Sequence, residues 1–220
     1  MNFPADLFPA PWPILAWLPL LAVLGWSVWR APWRKLGEGR FHVLAGTIVA
    51  LMLLWSLQAG VKPGLSYHLL GATVAALVFG PHVGSIGLSL VLAAVTLNGD
   101  AAWSAYALNA LTMVLVPVWL AFALFWAADR LLPNHLFVYI FVAAFLGAAL
   151  TVTGAGVFAS ILLWSAGVYP ADYLAGEYLP PYLLLAFSEA WLSGMAITLM
   201  VVYRPGWVST FDDRRYILNK

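Results

Sequence analysis

Seven runs of apolar residues, divided by short polar or proline- and glycine-bearing breaks, fill most of this chain. They cover about 13–29, 41–58, 68–79, 83–97, 103–128, 136–169 and 182–203. The runs are of helical length and lack the ten-residue alternation of outer-membrane strands, so the pattern predicts an all-α bundle of membrane-spanning helices. A helix needs roughly 20 residues to cross about 30 Å of hydrocarbon. The third run is too short for that unless it begins or ends inside the protein, and Gly80-Pro81-His82 makes the turn into the fourth. The sixth is too long for one upright helix, so it is either strongly tilted or broken near Thr153-Gly154. The count is six or seven spans, and seven is preferred.

Composition agrees. The chain is 64% hydrophobic and 9% charged, against roughly 25% charged in soluble domains. Its net charge of +1 offers nothing to nucleic acid, and the absence of cysteine excludes disulfides and thiolate metal sites. Twelve Trp and nine Tyr fit interfacial belts. The first ten residues carry Asp6 and no Lys or Arg, so the first run reads as a permanent span rather than a cleaved signal. Residues 1–205 form the transmembrane domain and 206–220 a cytoplasmic tail.

Charge sets the orientation. With the N-terminus outside, Arg30, Arg34, Lys35, Arg40, Arg130, Arg204, Arg214, Arg215 and Lys220 fall inside, leaving Lys62 outside. An odd number of spans, N-terminus out and C-terminus cytoplasmic, is the self-consistent arrangement. It places Asp6, Asp100, Asp172 and Glu177 together on the outer side, where His68 also meets the N-terminal segment.

Few polar groups lie in the runs, and each is expensive there. His68 opens a run of small residues that ends at Gly80-Pro81, and its imidazole is the leading candidate metal ligand. The simpler alternative is an interfacial histidine bonded to a loop carbonyl. Asn109, Thr112 and Met113 share one helical face, where the Asn amide must find a partner. Inter-helix glue is its simpler role. Glu189 is the acidic residue well inside a span, so it must be paired or protonated, with a partner the sequence does not name. His42 and His82 fall on the inner side, and His135 reads as a helix start. Gly46 and Ala50 permit close helix packing, inside the bundle or against a partner. No HExxH, GxSxG or Walker A motif occurs, so the chain is not read as an enzyme.

These motifs resemble the substrate-binding membrane component of cobalt and nickel energy-coupling factor transporters, the CbiM/NikM-type permeases. The likeness rests on His68 and Gly71 ahead of Gly80-Pro81, on Asn109-Ala110-Leu111-Thr112-Met113, and on Glu189-Ala190 with Gly194. It implies seven helices, an outer N-terminus, and a metal site built from the terminal amine, the second residue and a histidine at the position of His68. By that resemblance Met1, Asn2 and His68 are the ligands, with Asn109, Thr112 and Met113 behind them. The family's second residue is a histidine and here it is Asn2, so one imidazole is lost. The Asn2 side chain or Asp6 is left as an oxygen donor. Square-planar nitrogen ligation suits Ni(II) or Cu(II).

The reading is therefore an inner-membrane, multi-pass component that captures a divalent transition metal on its outer face. No covalently bound cofactor is expected, since the metal is substrate. Lipid surrounds the chain. A coupling transmembrane subunit and cytoplasmic ATPases are the partners the resemblance implies. The alternative is a non-transporting membrane subunit or assembly factor on the same scaffold.

Overall fold

The computed structural model describes residues 2–4 and 6–218, without the side chains of Lys35 and Val61. Met1 and Lys220, assigned above as a ligand and as an inner charge, lie outside the described residues.

Among the described residues, six helices are long and apolar enough to cross a bilayer. They are α1 (Pro11–Arg30), α2 (Glu38–Ser56), α3 (Ala72–Leu97), α4 (Trp103–Leu131), α5 (Leu136–Ser165) and α6 (Tyr182–Tyr203). The third and fourth apolar runs both lie in α3, which breaks at Gly80, with φ 79° and ψ 168°, just before Pro81. That backbone conformation is essentially open to glycine alone. The two arms of α3 fold back on each other, because a Cβ placed on Gly84 would lie 3.0 Å from the Ala75 carbonyl oxygen. Their far ends meet the same partner: Asn2 bonds to both Ser66 and Asp100. The chain thus passes seven times between the two ends, with the third passage made of an extended stretch and the short helix 72–79.

That extended stretch belongs to an element the apolar pattern does not announce. Strands β1 (Ala59–Lys62) and β2 (Leu65–Tyr67) form a small antiparallel hairpin around Pro63 and Gly64. The sixth run is a single continuous helix ending at Ser165, and no break occurs at Thr153-Gly154. It is instead widened by π-type turns over Tyr139–Leu146.

α3 is the centre of the bundle, packed against α1, α2 and α4, while α5 bridges α4 and α6. Its most apolar window is 67% buried, against 17% for α1 and 11% for α2. The outer helices therefore turn most of their surface away from the protein, Gly46 and Ala50 included. Arg40 lies beside the inner tip of the α3 hairpin, and the tail carrying Arg215 bonds to the inner end of α4 at Asp129. The opposite end carries Asp100, Asp172 and Glu177. The positive-inside rule makes the arginine-bearing end cytoplasmic.

Candidate functional site

The N-terminal segment, residues 2–4, is held in a polar socket between the hairpin and α4. Phe3 is fully buried, and its backbone is clamped from both sides by one side chain. Asn109 Oδ1 accepts from the Phe3 amide at 2.7 Å, and Asn109 Nδ2 donates to the Phe3 carbonyl at 3.1 Å. The same Nδ2 reaches Asn2 Oδ1 at 3.0 Å. Asn2 donates its side-chain amide to the Asp100 carbonyl and its backbone amide to Ser66 Oγ at 2.9 Å. An open cleft of about 430 Å³ covers the socket, with Asn2, Gln58, Gly64, Ser66 and Asp100 in its walls.

His68 stands two residues beyond Ser66 and is 4% exposed. Its ring lies 5.2 Å from that of Trp55. Nδ1 is 3.1 Å from the Leu69 carbonyl oxygen. A neutral imidazole that donates Nδ1–H there keeps its lone pair on Nε2, the form a metal needs.

The loop after His68 runs at membrane depth without helical hydrogen bonds, and such backbone survives only where the protein satisfies it. Glu189 does this. It sits seven residues into α6, about 10 Å below that helix's outer end. Its Oε2 accepts from the Leu70 amide at 2.9 Å, and its Oε1 from the Gly71 amide at 2.7 Å. Ser193 Oγ approaches Oε1 at 3.5 Å. Trp55 Nε1 donates to the Leu70 carbonyl at 3.1 Å. Gly71, with φ 65°, then turns the chain into α3.

The structure thus brings Asn2, Ser66, Asp100 and Asn109 into contact, and His68 follows Ser66 by two residues, ahead of the Leu70 and Gly71 amides that Glu189 holds. Thr112 donates to the carbonyls of Leu108 and Asn109. It thereby supports the turn carrying Asn109, at the start of the π-type turns over Leu111–Leu115. Such widened turns are frequent at functional sites. Met113 packs in the core. Asp6 is exposed and has no place in the socket. His135 accepts from the Phe137 amide at 3.1 Å and caps the start of α5. His82 stands between Trp26 and Trp119 at the other end. Ser66, Trp55 and the Asp100 carbonyl were missed from sequence. Pro63-Gly64 was the available signal, since it marks a turn that places Ser66 opposite Gly60.

The fold is that of a polytopic helical membrane protein. A crystal structure of a truncated transition metal transporter superposes with a TM-score of 0.76, covering 92% of this chain and 99% of that one. Another of a transition metal transporter gives 0.74, covering 91% and 92%. Both are 17% identical to this chain, so they speak for the fold alone. The chain belongs to the CbiM family, the cobalt uptake substrate-specific transmembrane region, which it matches over residues 2–207. A relative in Archaeoglobus fulgidus, the putative fused nickel transport protein NikMN, is 29% identical over 142 residues. The match covers 64% of this chain and 44% of that relative, so the chain spans less than half of its length.

Proposed function

We propose that the chain captures a divalent transition-metal ion of the nickel or cobalt class at its outer face, as the substrate-binding part of an energy-coupling factor transporter. Its partners in this reading are a coupling membrane subunit and cytoplasmic ATPases. The ion is held by the His68 imidazole, the Met1 amine and the Asn2 backbone nitrogen. The carrying observation is the clamp of Asn109 on Phe3, which fixes the N-terminal segment against Ser66, two residues from His68. Among the described residues no three His, Cys, Asp or Glu side chains cluster, so backbone nitrogen has to complete a site here. Binding through Asn2 N requires that amide to leave Ser66 Oγ and lose its proton, and it therefore releases protons and strengthens with pH.

A second reading has one observation in its favour. The Asn2 carboxamide is occupied at both ends by Asp100 and Asn109, as befits a closed structural clamp in a non-transporting subunit. Metal titration of the purified protein separates the two. Capture predicts binding of Ni(II) or Co(II) that His68→Ala abolishes, and tighter binding in Asn2→His, which restores an imidazole. If none of Ni, Co, Cu or Zn binds and His68→Ala changes nothing, the capture reading falls.

A further inference from the structure

A second cavity, of about 490 Å³, opens at the arginine-bearing end beside the break in α3. Phe79 and Phe125 form an apolar wall. The polar wall is assembled from four separate elements: Arg40 from the first turn of α2, His82 from just past the break, Asp129 from α4, and Ser209, Thr210 and Arg215 from the tail.

Arg40 donates one Nη to the Val78 carbonyl at 3.2 Å, while its Nε is buried without a partner among the described residues. A buried guanidinium N–H left unmade is costly, so the site calls for an acceptor. His82 is turned with Nδ1 toward Ser27 Oγ at 3.4 Å. Ser209 Oγ makes only a long 3.3 Å contact to Leu77 O and is exposed at the mouth. Asp129 is the carboxylate of this wall among the described residues, and it is already held by Arg215 at 2.8 Å and by the Tyr216 hydroxyl. Arg40 is thus left as uncompensated positive charge, ringed by donors and backed by aromatic rings. The cavity opens at the end that the positive-inside rule makes cytoplasmic, and basic pockets between helices on that side suit anionic lipid.

We propose that this cavity binds the phosphodiester headgroup of an anionic phospholipid of the inner leaflet, with Arg40 as the anchoring cation and His82 and Ser209 as further donors. The apolar wall takes the glycerol end. A free phosphate shares the charge but has nothing to set against Phe79 and Phe125.

The test is native mass spectrometry of the full chain in detergent, titrated with phosphatidylglycerol, phosphatidylcholine or inorganic phosphate. Expected is a saturable one-to-one phosphatidylglycerol adduct, with phosphatidylcholine weaker and phosphate unable to displace it. Arg40→Gln weakens the adduct roughly five- to tenfold, the value of one arginine at an anionic surface. Arg204→Gln removes an exposed charge at the same end and outside the cavity, and it leaves the adduct unchanged. Since Arg40 also caps Val78, Ser209→Phe blocks the mouth while keeping both the arginine and the backbone bond from residue 209 to Val78. It too should weaken the adduct. Equal loss in Arg204→Gln, no discrimination between the lipids, displacement by inorganic phosphate, or full binding in Ser209→Phe each overturns the proposal.

Discussion

Asn109 and Glu189 are polar side chains in a stretch of membrane that rejects such groups, and each is kept there by backbone partners. Asn109 holds Phe3, and Glu189 holds Leu70 and Gly71. Removing the Glu189 carboxyl orphans two amides at membrane depth, at about 1–3 kcal/mol each. Glu189→Ala is therefore expected to lose protection of the Leu70 and Gly71 amides in hydrogen exchange and to lower the unfolding temperature. Glu189→Gln keeps one acceptor and should fall between. Unchanged exchange in Glu189→Ala would remove the carboxyl from this role. Partners that orient a metal ligand are worth roughly ten- to hundredfold in affinity, so the same variant should weaken any ion held by His68. His68, Asn109 and Glu189 stood out in the sequence because polar groups are rare in this chain. Their partners did not, because a backbone amide has no letter of its own. Ser66 was overlooked for a related reason: a serine beside a loop is ordinary until the hairpin places it against the N-terminal segment.

At the scale of elements, the break in α3 positions the site. By stopping the helix at Gly80, it lets eight helical residues and an extended lead do the work of a full span. The freed ends are then satisfied from elsewhere. Glu189 serves the amides before the short helix, and Arg40, Ser209 and Thr210 take the Leu77 and Val78 carbonyls after it. Gly80→Ala forces a side chain into a glycine-only conformation, at a cost of order 1–3 kcal/mol. Thermal unfolding should show that loss, whereas Gly206→Ala, with nothing within 4 Å of its added Cβ, should be nearly neutral. Equal stabilities would mean the bend is not strained by a Cβ. The Gly80-Pro81 break was readable because the apolar run was too short to cross. Of the two alternatives for the sixth run, a strong tilt or a break at Thr153-Gly154, the break did not form. In hydrocarbon a helical amide has no competing partner, so a glycine that would weaken a soluble helix is carried through α5.

Over the whole molecule, the outer end is built around the N-terminal segment and the inner end is closed by the tail. Chain charge foretold the two ends but gave the tail no role. In the structure Val208, Phe211 and Tyr216 are buried against Tyr139 and the α3 hairpin. The Arg215–Asp129 pair has its arginine side chain 46% exposed, so it is worth at most about 1 kcal/mol. The Tyr216 hydroxyl donates to the same carboxylate, and a hydrogen bond to a charged acceptor is worth roughly 1.5–3 kcal/mol. Tyr216→Phe should thus destabilise the tail more than Arg215→Ala, read as cleavage of the 205–218 segment in limited proteolysis. The two variants also differ with pH. Burial first, then the bond to Asp129, raises the Tyr216 pKa above the ordinary tyrosine value. A group whose folded pKa is raised contributes stability below its unfolded pKa, about 10 for tyrosine, and loses it as pH climbs toward the folded value. The wild-type advantage over Tyr216→Phe should therefore hold at pH 8 and shrink above about pH 10. In contrast, the advantage over Arg215→Ala contains the same tyrosine on both sides and should change less. A Tyr216→Phe gap that stays constant to pH 11 would show that ring packing, not the hydroxyl, fastens the tail to α4.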